Sequence, residues 1–538
     1  MSRIFSAKQA PFLLLWTAVA ILGAYLLFSG LGSPALWGDE AETALVARSV
    51  IAKGYPSAYD GKRVLTLFKD RHESNSRYLW TYTPWAQFYA TALSMKFFGQ
   101  DTRAARLPFA LAAWFSLFVI GALSFKWLGS GGCMLAPLIL LLNPAFINYA
   151  RHCRYYGLVI LMVPCVMLAY LAWYSKPGRG AALRLGIALA ILFHVNYFTF
   201  GISTLALVLH WLTGPKTRLR RDISTFWIAW ALAFVLTFPW YAYCRPYPAQ
   251  QGLASSRLWL SWFWDYLIQT NDFILPAAFA LTALWLSRVQ GKGSKPDDRA
   301  ASARRLLWFH VALTIPMAAI IPYHSFRFII NILPCGALLC ADMLFCLWKR
   351  SKALSAAACG LLLLTTFFQN IIHPSALLTM RTWRPPLLIG MNAKHALEPT
   401  SLDCIIDFLK QTAKPDQFIL MDDPAYPVIF YTDMRILDGR LGDAGKMGML
   451  ADWILEEAVF SLTTPSRRLS PEALGLRGKF EKKQILCPAA SPWRMTPEPE
   501  FRSMPLSEWE SKPRPVTFYR RIDNRNRSSS ILRERDRI

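Results

Sequence analysis

The chain is short of charge, and what charge it has is mostly of one sign. Only 17% of its 538 residues are Asp, Glu, Lys or Arg, against about a quarter in soluble domains. That excludes an ordinary soluble enzyme of this length. Polar low-complexity composition is missing too. Hydrophobic residues reach 54% and aromatics 14%, which excludes disordered and collagen-like chains. The ten cysteines contain no CxxC and no Cys/His spacing of a structural metal site. There is no Walker motif and no internal repeat. Acidic residues number 34 against 59 Lys and Arg. An integral membrane protein is the class that fits.

The basic excess has a place. Up to Ile372 there are 34 Lys/Arg and 13 Asp/Glu; from His373 onward there are 25 and 21. A nucleic-acid-binding protein concentrates its basic residues on a soluble domain. Here they lie between hydrophobic runs, as loop charges that orient a membrane protein do, so no nucleic acid is expected as partner. Cys133, Cys165, Cys335, Cys340, Cys346 and Cys359 fall inside apolar runs and read as packing residues. Cys404 and Cys487 fall in the polar C-terminal part and could pair in an oxidising compartment.

A spanning helix needs about 20 largely apolar residues. Runs at 11–30, 104–126, 131–147, 158–174, 183–197, 200–214, 223–243, 272–289, 306–323, 328–348 and 353–372 give about eleven spans. The first lacks a small-residue cleavage site and reads as an anchor, not a cleaved signal. Basic loops follow residue 174, residue 214, residue 288 and residue 348. With these loops cytoplasmic, eleven spans put the N-terminus inside and everything after Ile372 outside. Residues 84–99 are apolar but short, and read as a helix in the outer membrane interface.

The predicted organisation is therefore a polytopic α-helical membrane region, 1–372. Its first outer loop, 31–103, contains the interfacial helix. An extracytoplasmic α/β region, 373–519, and a basic disordered tail, 520–538, follow. In the α/β region, 402–412 and 450–462 read as helices, and 417–421, 428–431 and 516–520 as strands. Residues 244–271 read as an outer turn.

Chemistry concentrates on the outer side. Directly after the first run comes Trp37-Gly38-Asp39-Glu40-Ala41-Glu42, three carboxylates within four residues. They suit the first turn of a helix, where acids favour the dipole. They also suit a general base at the lip of the bilayer. The same loop carries Lys69, Arg71, His72 and Glu73. These form either a solvated polar loop or a cationic wall for a phosphate, and His72 and Glu73 with Asp39 are compatible with a divalent ion. Arg151, His152, Arg154, Tyr155 and Tyr156 cluster between two spans, on the side where the positive-inside rule does not place arginine. His194 and Tyr197 close one span on that side, and His324 and Arg327 open another. Interfacial anchoring explains each alone; convergence on one face favours a site. Only Asp342 lies well inside a predicted span, and a coupled transporter ordinarily needs more intramembrane carboxylates.

The order of these motifs resembles the polytopic GT-C glycosyltransferases, in particular family 39 and its bacterial relatives, the protein O-mannosyltransferases and lipid A aminoarabinose transferases. The resemblance runs from Trp-Gly-Asp39-Glu40-Ala through Pro84-Trp85, Phe97-Phe98-Gly99 and Ala105-Arg106-Leu107-Pro108. It continues through Tyr149-Ala150-Arg151 with Arg154 and Tyr156-Gly157-Leu158, then His194 to Tyr197, Phe238-Pro239-Trp240 and Arg327-Phe328 with Leu333-Pro334. It covers roughly 11–372.

The resemblance implies transfer of a sugar from a polyprenyl-phosphate carrier to an extracytoplasmic glycolipid, polysaccharide or protein. The expected location, a bacterial inner membrane, has no targeting signal behind it. The resemblance maps the loop carboxylate to Asp39, with Glu40 beside it. Arg151, Arg154, Arg327, Lys69 and Arg71 would stabilise the phosphate and Tyr156 would donate a hydrogen bond. His72, Glu73, His194, Tyr197 and His324 would line the substrate cavity. Two departures stand out. Thr81-Tyr82-Thr83 precede Pro84 where relatives often have a lysine, and Glu42 stands where some carry a basic residue. A transporter or flippase of a lipid-linked glycan, and an envelope scaffold using the α/β region, are the competing readings.

Overall fold

The computed structural model describes residues 10–65, 73–129, 132–214, 216–244, 255–281, 285, 298–321, 324–370, 386–387, 400–421, 425–438, 444–456, 469–476, 478–488 and 513–522. Among these, four helical segments are long and apolar enough to cross a membrane: Thr102–Leu128, Tyr156–Ser175, Asp222–Cys244 and Phe326–Arg350. Leu14–Phe28, Tyr197–Leu212 and Lys352–Leu364 are shorter apolar helices. The protein is an integral membrane protein.

In chain order, α1 is Ala10–Phe28, α2 Gly38–Lys53, α3 Ala86–Phe98, α4 Thr102–Leu128, α5 Leu135–Leu141 and α6 Pro144–Tyr149. Next come α7 Tyr156–Ser175, α8 Arg179–Val195, α9 Tyr197–Leu212, α10 Lys216–Cys244 and α11 Ser256–Phe273. After α12 Asp298–Ile320, a 3-10 turn at Phe326–Ile332 leads into α13 Leu333–Arg350, and α14 is Lys352–Leu364. Two expectations change here. The run at 131–147 is not one helix. Asn143 caps the amides of Ala145 and Phe146, and Pro144 starts α6 afresh, because proline has no N–H to continue α5. The expected outer turn at 244–271 contains α11, whose Ser255 side chain caps the Leu258 amide at 3.4 Å.

Close helix approach positions the loops around α2. A Cβ on Gly157 would lie 2.3 Å from the Phe109 carbonyl oxygen, so α7 meets α4 backbone to side-chain-free backbone. Two polar pairs tie helices together in the interior. Asp342 on α13 is held by Arg304 of α12 at 2.7 Å, and His210 bridges the Tyr170 hydroxyl at 2.8 Å and the Ser302 carbonyl at 2.9 Å. α3 buries Phe88, Ala92 and Met95 and exposes Tyr89, Leu93, Phe97 and Phe98, the division that an interfacial helix shows.

The C-terminal part carries α15 Ser401–Thr412, α16 Ala425–Thr432 and α17 Ala444–Leu450. They pack on a five-stranded sheet of β1 Phe418–Met421, β2 Arg435–Asp438, β3 Trp453–Leu455, β4 Phe480–Cys487 and β5 Arg514–Arg521. The strand order is β2-β1-β3-β5-β4. β1 pairs parallel with β2 and β3, and β5 pairs antiparallel with β3 and β4. Period-two alternation sends Ile419 and Met421 to α15, with Ile405 and Leu409, and Phe418 and Leu420 to the other face, with Leu437 and Leu450. Cys404 and Cys487 form a disulfide.

Three expectations fail in this region. Residues 428–431 lie in helix α16, not in a strand, because Ile429 and Phe430 pack into the α2 core and Val428 into the sheet core, so tertiary burial overrides β-propensity. In the expected helix 450–462, Trp453–Leu455 form strand β3, and 457–468 lie outside the described residues. Arg520 and Arg521 belong to β5, not to a disordered tail, and 523–538 lie outside the described residues.

Candidate functional site

The site is built on α2. This helix is enclosed instead of lying on a surface: Glu40 to Ala47, Ser49 and Val50 are all buried. Leu45, Val46 and Val50 share one core with Phe88 of α3, Phe109 of α4 and Ile429 and Phe430 of α16. The chain reverses out of α2 at Gly54, whose φ of +83° suits glycine.

Glu40 is the hub. It is fully buried, and Arg106 of α4 grips both its oxygens, at 2.8 and 2.6 Å. The Cys153 amide donates to Oε1 at 2.7 Å, and the Trp37 amide to Oε2 at 3.4 Å. Glu40 thus fastens α4 and the 150–155 loop to the start of α2. Burial works to raise its carboxyl, but Arg106 foremost, then His152 and the Cys153 amide, outweigh it and hold it below the ordinary value.

Asp39, one residue earlier, points into a different environment. Its side chain is 26% exposed, where those of Glu40 and Glu42 are 0% and 8%. It is the member of the acidic triplet that an incoming molecule can reach. Arg327, from the 3-10 turn, donates to Asp39 Oδ2, and Arg154 Nη2 lies 3.4 Å from the same oxygen. Burial favours the protonated form, but Arg154 and Arg327 outweigh it and lower the carboxyl below its ordinary value.

Arg154 is buried and shared. Its Nη1 donates to Glu42 Oε1 at 2.7 Å and to Thr43 Oγ1 at 3.0 Å, while its Nε–H has no hydrogen-bond partner among the described residues. Glu42 has its carboxyl raised, first by burial and also by the Asp39 charge, against the pull of Arg154. Arg327 is anchored through its neighbours. The Tyr266 hydroxyl of α11 bonds the Ser325 amide at 3.1 Å and its carbonyl at 3.2 Å, and Phe326 stacks on Tyr149.

The other expected residues divide. Tyr156 is buried against Tyr149 and Tyr155, within electrostatic reach of Arg327 and Arg154. Arg151 donates to the Ser29 carbonyl at 2.8 Å, at the end of α1, and has no carboxylate partner among the described residues; burial, then Arg106, brings its guanidinium down to about 10. Burial first, with the nearby arginines, brings His152 down to about 4, so it is neutral at physiological pH. Glu73 is buried and its carbonyl accepts from the amides of Thr81 and Tyr82 at 2.9 and 3.2 Å. His324, three residues from Arg327, meets Gln269 at 3.2 Å and Asp265 at 4.0 Å. His194 and Tyr197 gather instead around Trp240, which packs on Trp85 before α3. Lys69, Arg71 and His72 lie outside the described residues. Among the described residues no three His, Cys, Asp or Glu side chains group as metal ligands.

Sequence reading misses the roof. Asp403 of α15 accepts from the Ala35 amide at 2.8 Å. The Tyr431 hydroxyl of α16 accepts from the Leu36 amide at 2.9 Å and bonds Thr102 Oγ1 at 2.5 Å. Arg48 of α2 lies 4.0 Å over the Phe430 ring, and Arg63 donates to the Met434 carbonyl. The C-terminal part thus holds the segment that enters α2. No local pattern marks these residues, since their partners lie more than 300 positions away.

No protein-family profile matches the chain, and no curated protein does. Solved structures do. ArnT from Cupriavidus metallidurans bound to undecaprenyl phosphate aligns over 95% of this chain and 98% of its own, with a TM-score of 0.60 and 16% identity. The archaeal oligosaccharyltransferase AglB from Archaeoglobus fulgidus, in complex with an inhibitory peptide and a dolichol-phosphate, aligns over 84% of this chain and 70% of its own, with a TM-score of 0.52 and 9% identity. The chain has the fold of the GT-C glycosyltransferases.

Proposed function

We propose that this protein transfers a sugar from a polyprenyl-phosphate carrier to an acceptor hydroxyl on the outer face of a bacterial inner membrane. The observation that carries the reading is Asp39, a part-exposed carboxylate held between Arg154 and Arg327 from two other elements. Neighbours of the same fold that hold undecaprenyl phosphate or dolichol-phosphate support it.

In this reading the acceptor oxygen attacks the anomeric carbon and the bond from that carbon to the phosphate oxygen breaks. The electron pair leaves with the phosphate, and the acceptor proton passes to Asp39. The resting arginines make Asp39 a weak base. As the leaving phosphate gains charge it draws Arg327 and Arg154, which frees Asp39 to take the proton as the bond forms. Glu40 positions Asp39 through Arg106 and does not meet substrate. Tyr156 and Arg151 support the phosphate side, with Lys69 and Arg71 as further ligands from the first outer loop. His72, Glu73, His194, Tyr197 and His324 are assigned to the cavity that holds sugar and acceptor. The Cys404–Cys487 disulfide supports an oxidising, extracytoplasmic place for the C-terminal region, with the N-terminus cytoplasmic.

A flippase is the second reading. Reconstituted vesicles given an undecaprenyl-phosphate-linked sugar and an envelope lipid extract separate the two. Covalent transfer without lipid translocation supports the transferase; translocation without transfer overturns it.

A further inference from the structure

Asp39, Glu42, Arg154 and Arg327 form a chain of alternating charge. Glu42 touches Arg154, Arg154 touches Asp39, and Asp39 touches Arg327. Two carboxylates and two guanidiniums leave this chain neutral, so a donor phosphate meets cations already occupied. Glu42 makes the tighter claim on Arg154, at 2.7 Å against 3.4 Å for Asp39. With 8% of its side chain exposed, Glu42 is set behind Asp39, out of reach of substrate. The Tyr426 hydroxyl of α16 and the Glu73 carboxylate share its surroundings, and neither brings a positive charge. Burial and the Asp39 charge raise the Glu42 carboxyl, so its charge is the less firmly held of the two.

We infer that Glu42 is a positioning residue that competes with the donor phosphate for Arg154, holding the guanidinium in the resting site and yielding it when phosphate binds. The inference rests on the lipid-phosphate reading above. When Glu42 lets go, Nη1 is freed for the phosphate, and the buried Arg154 Nε–H, without a partner among the described residues, is a second donor the released guanidinium can turn toward it. The consequence is a site that grips the carrier less tightly than two arginines alone would, which favours release of the more highly charged phosphate product.

The test is binding of undecaprenyl phosphate to the full-length protein in detergent. Glu42→Gln keeps the shape and removes the charge. It is expected to bind roughly tenfold tighter, as for removal of one like charge at short range in a partly shielded site. In turnover it lowers KM for the donor and lowers kcat, because product leaves more slowly. A merely structural role predicts weaker binding. Glu42→Asp draws the charge back by one methylene and is expected to fall between the two; it serves if Glu42→Gln does not fold. Unchanged or weaker binding in a folded variant overturns the inference, and failure of both variants to fold overturns it by making Glu42 structural. Wild-type protein that does not bind the probe overturns the lipid-phosphate reading itself, a result distinct from the others.

Discussion

Arg106→Met removes the guanidinium that grips both oxygens of Glu40, at 2.8 and 2.6 Å, and that also donates to the carbonyls of Leu31, Pro34 and Ala35 at 3.3, 2.8 and 3.4 Å. Glu40 is 0% exposed, so no solvent replaces what is lost. Breaking a buried pair by deleting one partner costs about 3–5 kcal/mol, because the other charge stays buried and unpaired. Glu40→Gln costs less, about 1.5–3 kcal/mol, since its amide oxygen still accepts from the Cys153 amide and Arg106 keeps its three carbonyls. The double variant is expected to be more stable than the sum of the two losses by about 2 kcal/mol. Unfolding in one detergent, by temperature and by denaturant, measures all four corners of the cycle. Both single variants also lose transfer, because the start of α2 carries Asp39. A cost below about 1 kcal/mol for Arg106→Met, or strictly additive losses, would refute the picture of Glu40 as the fastening of three elements.

Other consequences follow from the same geometry. His152 is held neutral with its titration brought down to about 4, below the value near 6.5 of an unfolded chain. Its contribution to stability is complete above pH 6.5 and is lost as pH falls toward 4, about 3 kcal/mol in all; the melting temperature should fall over that window, and less steeply in His152→Gln. Gly157→Ala places a methyl 2.3 Å from a backbone oxygen and should cost about 3 kcal/mol or more by prying α7 from α4. Transfer falls with it, because Arg154 lies three residues before Gly157; full stability in this variant would contradict the close approach. Tyr431→Phe deprives the Leu36 amide of its acceptor at 2.9 Å and should cost about 1–3 kcal/mol, read by unfolding, with a loss of transfer where the Thr102 link also matters.

Much of this arrangement is legible in the sequence, and for identifiable reasons. Arg154 and Arg327 stand out because the predicted topology puts them on the side where the positive-inside rule does not expect arginine, and Asp39 because three acids follow an apolar run directly. The two-sided burial of α3 is foreshadowed by its short apolar run with Gln87, Ser94 and Lys96 inside it. Other features leave no such mark. Arg106 sits inside an apolar helix, and its partner 66 residues earlier is invisible to periodicity. The α16 stretch Val428-Ile429-Phe430-Tyr431 has strand propensity, yet forms helix because two cores and a hydroxyl contact claim it. The burial of α2 depends in part on that same helix, through Ile429 and Phe430, and nothing local to 38–53 announces it. The division of labour within the acidic triplet is likewise tertiary: Arg106 takes Glu40, Arg154 takes Glu42, and only Asp39 keeps an exposed edge.

The most direct test of the central claim replaces Asp39 with Asn in cells that otherwise lack this protein. Asn fills the same space and still meets Arg327 and Arg154 with an oxygen, but it cannot accept the acceptor's proton. Mass spectrometry of envelope glycolipids and glycoproteins, at matched protein levels, should show a sugar-bearing product with the wild-type chain and at least about 100-fold less with Asp39→Asn. Full restoration of that product by Asp39→Asn would contradict the account.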